Sequence, residues 1–281
     1  MAHLVSTEEL AGLIGTPGLV IFDASFYLPT EGHDAAALYR QAHIPGALFF
    51  DIDAISDHAT DLPHMLPSPG AFAAAVGALG VSNASKIVVY DQKGLFSAAR
   101  VWWMFQVFGH GKVKILDGGL PKWQIEGRAV SNEAPAPVQT QRFIPTYHAR
   151  LVRGAGDMLD NLIQADELVL DARAASRYAG EAPEPRAGVR AGHIPGAISL
   201  PFGELLNPDG TMKAPAALRA RFAAAGVEDQ MKVVTSCGSG VTACVLTLGM
   251  AQAGLPMGAV YDGSWSEWGA REDLEIATGH G

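Results

Sequence analysis

The sequence predicts an α/β protein made of two tandem domains, each a mostly parallel sheet with helices on both faces. Three observations carry this. Strand and helix signals alternate along the whole chain, the pattern of wound α/β units. The landmarks of the first half return in the second, about 145 to 150 residues later. The 281 residues are 48% hydrophobic and 17% charged, enough apolar material for two cores and too little charge for an extended or disordered chain.

The elements follow in order. Ser6 and Glu9 form a capping-box pattern that opens a short helix ending near Gly15, and Leu19 to Asp23 reads as a buried strand. Ser68-Pro69 supplies an N-cap and a first-turn proline for a helix running through Phe72, Val76 and Leu79 and stopped by Gly80. Lys86 to Tyr90 is the next strand, and Val101 to Phe108 an apolar helix. The second half repeats the order: strand Glu167 to Asp171, helix Pro215 to Ala225, strand Lys232 to Thr235, helix Val241 to Gly254. In such sheets chemistry sits at the carboxyl ends of the strands.

Phe22-Asp23-Ala24-Ser25 answers to Leu170-Asp171-Ala172-Arg173, and His43-Ile44-Pro45-Gly46-Ala47 returns as His193-Ile194-Pro195-Gly196-Ala197. Val88-Val89 matches Val233-Val234, and Asp117-Gly118-Gly119 with Trp123 matches Asp262-Gly263-Ser264 with Trp268. A period this long means duplication of a domain. The pattern divides the chain into a first domain at 1–128, a linker at 129–146 rich in Pro, Gln, Ser and Thr, and a second domain at 147–281.

A formal charge of −9 without a Lys/Arg block argues against nucleic acid or an anionic membrane as partner. The best apolar run, Val101 to Phe108, is too short to span a bilayer, and the start of the chain lacks the pattern of a signal peptide. Two cysteines cannot staple a secreted fold, so the expected location is a reducing cytoplasm. No metal-ligand spacing, P-loop or dinucleotide fingerprint occurs, and no cofactor is expected.

Cys237 lies just past a strand, in Ser236-Cys237-Gly238-Ser239-Gly240-Val241-Thr242-Ala243. The glycines let the backbone turn tightly with its N–H groups inward, and the following helix adds the positive end of its dipole. That field favours thiolate over thiol, which marks Cys237 as a nucleophile rather than a buried small hydrophobe. Cys244 falls inside the helix and reads as packing. Matching Val89 to Val234 sets Gln92 opposite Cys237, so the first copy has no nucleophile.

The tandem copies, the two His-Ile-Pro-Gly-Ala motifs, the Asp-Gly-Gly and Asp-Gly-Ser endings and the Cys237 loop resemble the rhodanese-type sulfurtransferases over essentially the whole chain. The loop from Cys237 to Ala243 is similar to that of the 3-mercaptopyruvate sulfurtransferases. Those acting on thiosulfate usually carry Arg and Lys after the cysteine, where this chain has Gly238 and Ser239. The resemblance implies a Cys237 persulfide, loaded from 3-mercaptopyruvate with release of pyruvate. The persulfide would be emptied by a thiol such as thioredoxin or a small dithiol, or by cyanide. It implies substrate binding by Arg177, Arg186 and the loop residues Gly238, Gly240, Val241 and Thr242. It further implies proton movement by Ser239 with His64 and Asp53, whose family counterparts reach the site from the first domain. A guanidinium suits a carboxylate because its planar fork meets both oxygens.

Read without the family, Arg177 and Arg186 are surface charges and His64 a structural polar residue. His43 and His193, kept in both copies, brace their turns; Trp102 and Trp103 belong to the core, and Trp265 and Trp268 to the core or the vicinity of the loop. Thiosulfate transfer by the same cysteine remains the alternative activity, and a non-catalytic binding module the alternative class. A cysteine phosphatase would need an Arg to close the loop, and position 243 is Ala.

Overall fold

Ser6 opens the first helix as its spacing to Glu9 predicts: its Oγ accepts from the Glu9 N–H, and the Glu9 carboxylate accepts from the Ser6 N–H. The computed structural model, describing residues 3–280, continues from there as two repeats of one plan. The first holds β1 (Leu4–Val5), α1 (Thr7–Leu13), β2 (Leu19–Asp23), α2 (Ala35–Gln41) and β3 (Leu48–Phe49), then α3 (Pro69–Ala78), β4 (Lys86–Tyr90), α4 (Ala98–Val107), β5 (Val113–Leu116) and α5 (Gly119–Ile125). The second holds β6 (Val152–Arg153), α6 (Ala155–Gln164), β7 (Leu168–Asp171), α7 (Ala175–Ala179) and β8 (Ile198–Ser199), then α8 (Pro215–Ala224), β9 (Val233–Ser236), α9 (Ala243–Gln252), β10 (Ala259–Tyr261) and α10 (Ser264–Trp268).

Each repeat forms a five-stranded parallel sheet, ordered β1-β5-β4-β2-β3 in one and β6-β10-β9-β7-β8 in the other. The expected α/β class and tandem architecture are therefore what the chain adopts. By proximity the residues group into two units. The first comprises the chain up to Asp57, Leu66–His148 and Asn207–Met212; the second comprises His58–Met65, Ala149–Leu206 and the chain from Lys213 onward.

Alternation along the strands splits the core of unit 1 across the two sheet faces. Val88 and Tyr90 of β4 face Leu10, Leu116, Leu120 and Trp123. Elsewhere in the unit Phe22, Phe50, Phe72 and Phe105 form an aromatic cluster, with Phe105 edge-on to Phe72 at 5.2 Å. Trp102 and Trp103 are fully buried, as expected of core residues. The stretch expected as linker has no helix or strand, yet it is laid against unit 1: Gln141 N–H donates to Gly77 O, and Phe143 packs on Phe72 and Phe105. Unit 2 builds the matching core around Val234, Tyr261, Trp265 and Trp268.

His43 and His193 brace their turns. Each stacks on a tyrosine, Tyr39 at 4.3 Å and Tyr178 at 3.7 Å, and holds the same tyrosine's carbonyl through Nδ1. No helix among the described residues is long and apolar enough to cross a membrane.

Candidate active site

β9 delivers Cys237 to the carboxyl end of the second sheet, 2% exposed, as a free thiol. The turn to α9 then runs through Gly238–Thr242. Among the described residues, the N–H groups of Gly238, Ser239, Val241, Thr242 and Ala243 find no oxygen or nitrogen acceptor in the protein. Main-chain amides away from water are normally paired, and with Ser239, Val241 and Ala243 buried and Gly238 and Thr242 half-buried, five unclaimed donors around one turn make a cradle suited to an anion. Cys244 packs in α9 with its Sγ on Gly240 O at 3.1 Å, in the structural place expected of it.

The arginines converge on Gly238. A β-carbon there would lie 3.2 Å from one terminal nitrogen of Arg177 and 4.0 Å from one of Arg186, so a side chain at 238 would crowd Arg177. Arg177 is held by the Glu184 carboxylate, which also receives the buried Arg173 at 2.9 Å. Arg173 pairs with Asp171 at 2.6 Å and lies over the Trp265 ring at 4.5 Å. This ion network holds Arg177 in place, and Glu184 has no motif that would single it out in the sequence.

Ser239, 4% exposed, has its Oγ 2.9 Å from Nδ1 of His64 and 3.5 Å from an Arg186 nitrogen. His64 itself is buried and takes a left-handed backbone, φ 61°. Unit 2 thus assembles Cys237, Ser239, His64, Arg177 and Arg186. Asp53 belongs to unit 1, where it borders a cavity of about 230 Å³ with Tyr27, His33, Asp34 and Asp51.

The first copy corrects one expectation from the sequence. Tyr90 pairs with Asp23 in β4–β2 and Ser236 with Asp171 in β9–β7, and the next amide bonds back in each case, Ala24 to Tyr90 O and Ala172 to Ser236 O. The residue opposite Cys237 is therefore Asp91, not Gln92. Leu120 N–H on Asp91 O and Trp265 N–H on Cys237 O repeat the equivalence. The offset misleads because α4 begins seven residues after Asp91 while α9 begins six after Cys237, so the first loop is one residue longer. The Asp91 carboxylate accepts from the N–H groups of Lys93, Phe96 and Ala98 at 2.7–2.9 Å. Unit 1 fills the turn with its own anion at the position where unit 2 carries a thiol.

Two separate segments of the chain, 6–126 and 155–271, match the model of the rhodanese-like domain. The chain belongs to the rhodanese family. Among rhodanese relatives it is 43% identical to 3-mercaptopyruvate sulfurtransferase of Rattus norvegicus, across 99% of this chain and 96% of that one. It is 42% identical to thiosulfate sulfurtransferase of Bos taurus, across 99% and 95%. The crystal structure of SseA from Escherichia coli, described as a 3-mercaptopyruvate sulfotransferase, superposes with a TM-score of 0.85 at 39% identity, covering 94% of this chain and 99% of that one. A rhodanese chain with such relatives over nearly its full length is a sulfurtransferase, with a sulfur donor and a sulfur acceptor as its partners.

Proposed function

We propose that the protein moves the sulfur of 3-mercaptopyruvate to a thiol or to cyanide through a persulfide on Cys237. The observation that carries this reading is the turn around Cys237. The same turn holds a carboxylate in unit 1, whereas in unit 2 it carries a thiol, with terminal nitrogens of Arg177 and Arg186 near Gly238. Near-equal identity to relatives named for the two donors does not choose between them, so the loop must. Cations beside the sulfur would suit the compact dianion thiosulfate and the sulfite it leaves. Gly238 and Ser239 offer none, while Arg177 and Arg186 suit a carboxylate held farther from the sulfur.

In the reaction the Cys237 thiolate attacks the sulfur of mercaptopyruvate. The S–S bond forms as the C–S bond breaks, and the C–S electron pair passes to carbon as the enolate of pyruvate. The sulfur keeps its proton, giving Cys237–S–SH, and the enolate takes a proton to become pyruvate. The relay of that proton is assigned to Ser239, whose hydroxyl lies between His64 and Arg186; Asp53 is assigned to the same relay through the family pattern alone. An acceptor thiolate then attacks the outer sulfur and Cys237 leaves as thiolate; with thioredoxin or a small dithiol, a second thiol closes a disulfide and releases hydrosulfide. With cyanide the product is thiocyanate. The catalytic residues lie in the second domain, 147–281, apart from His64 and Asp53, which come from 1–128.

The test is the intact mass of the protein after mixing with either donor, beside Cys237→Ser. Gain of one sulfur from mercaptopyruvate faster than from thiosulfate, absent in the variant, is the expected result. Faster loading by thiosulfate would transfer the assignment to that donor, and no loading by either would leave a binding module.

A further inference from the structure

Ser264 stands at φ 50°, in the left-handed region that a side chain adopts at a cost, and it is fully buried. Its counterpart in the first copy is Gly119, at φ 57°. There a β-carbon would fall 2.5 Å from Asp91 O and 2.6 Å from Gly94 O, so the longer loop of unit 1 excludes any side chain. In unit 2 the shorter loop leaves room, and the room is taken by a hydroxyl. Its Oγ accepts from the Cys237 N–H at 3.2 Å and donates to Tyr261 O at 2.7 Å. The two residues that follow complete the grip. Trp265 N–H donates to Cys237 O at 3.0 Å, and Ser266 donates to Gly238 O from its N–H at 2.8 Å and its Oγ at 2.6 Å. Both backbone polar groups of Cys237, and the next carbonyl, are therefore held by the start of α10, and not by the sheet or the cradle.

We propose that Ser264 is a positioning residue for Cys237, fixing the direction in which the thiol leaves the backbone so that it faces the unclaimed amides of its own turn. This inference rests on Cys237 being the nucleophile. A thiol attached to a peptide free to rotate about its neighbours would spend much of its time out of line with the cradle and the donor sulfur. Alignment of reacting atoms is worth orders of magnitude in rate. The backbone cost of a serine in this conformation fits a functional task, because glycine serves at the same place in the copy without a thiol.

Two variants separate positioning from mere support of the fold. Ser264→Gly removes Oγ and relaxes the backbone; Ser264→Ala removes Oγ and keeps the unfavourable conformation. Both are expected to alkylate at Cys237 with iodoacetamide about tenfold more slowly than the parent. Both are also expected to load sulfur about tenfold more slowly at saturating mercaptopyruvate, with the half-saturating concentration unchanged. The glycine variant should melt no lower than the alanine variant. Parental alkylation and loading rates in Ser264→Gly would overturn the proposal, as would a loss that follows melting temperature and not the missing hydroxyl. Alkylation that slows in the variants, in a protein that takes sulfur from neither donor, would uphold the positioning of the thiol and overturn the proposed activity.

Discussion

Ser239 Oγ sits 2.9 Å from Nδ1 of His64, a residue 175 positions earlier in the chain, and both side chains are 4% exposed. An Arg186 nitrogen lies 3.5 Å from the same oxygen. In the proposed mechanism the pair acts as one relay. Ser239→Ala is expected to lower kcat with mercaptopyruvate about 100-fold. Adding His64→Ala should cost little more, because the second removal finds the relay already broken. Steady-state pyruvate formation by the two single variants and the double variant checks this, and multiplicative losses would contradict it.

Arg177→Ala and Arg186→Ala are expected to raise KM for mercaptopyruvate with a smaller effect on kcat, since in the proposed mechanism both guanidiniums meet the part of the donor that does not react. Unchanged kinetics in both would remove the clamp. Glu184→Ala is different in kind. It leaves Arg173, 2% exposed, with half its carboxylate partners, so a loss of stability of about 3 kcal/mol in chemical denaturation is expected besides the rise in KM.

Asp91→Ala takes the acceptor from three amides of the first loop at once, and about 3 kcal/mol of stability should go with it. Asp91→Cys, made together with Cys237→Ser, puts a thiol at the equivalent point of a loop that is one residue too long. It is expected to gain no sulfur by intact mass; loading there would show that the turn tolerates either length.

Asp171 is ion-paired with Arg173, but its counterpart Asp23 meets, among the described residues, Ser25, Gln92 and Tyr90 and no cation, and burial raises its carboxyl above the usual carboxylate range. A raised pKa in the folded state means that the ionised form opposes folding. The protonated form imposes no such cost at pH below the ordinary carboxylate value, and stability falls as pH climbs through the raised one. Asp23→Asn should therefore raise the melting temperature at pH 7, by an amount that shrinks as the pH is lowered toward 4. A gain that grows on acidification would show the opposite sign.

The long strands were legible because Val, Ile and Leu run unbroken between turn signals, as from Leu19 to Asp23 and from Lys86 to Tyr90. The edge strands β1, β3, β6 and β8 were not, since two residues carry no period. Cys237 could be found by its strand-to-helix turn. His64, Arg177 and Arg186 depended on motifs of the family, because a lone histidine or arginine has no pattern of its own. The role of Asp91 stayed hidden behind a constant offset of 145, which a single extra residue in the loop shifts out of register. Ser264 and Glu184 act through a backbone angle and a buried pair, neither of which leaves a periodic trace in the sequence.

The carboxylate of Asp91 also bears on how far the two halves are interchangeable. With an acid side chain seated on the amides of the first loop, exchanging it for a thiol does not by itself make that turn like the one around Cys237. The extra loop residue would have to be deleted and the glycine at 119 replaced as well, each change unhelpful without the others. A carboxylate, one residue of loop length and one glycine therefore separate the two turns, and exchanging any one of them singly does not convert the first into the second.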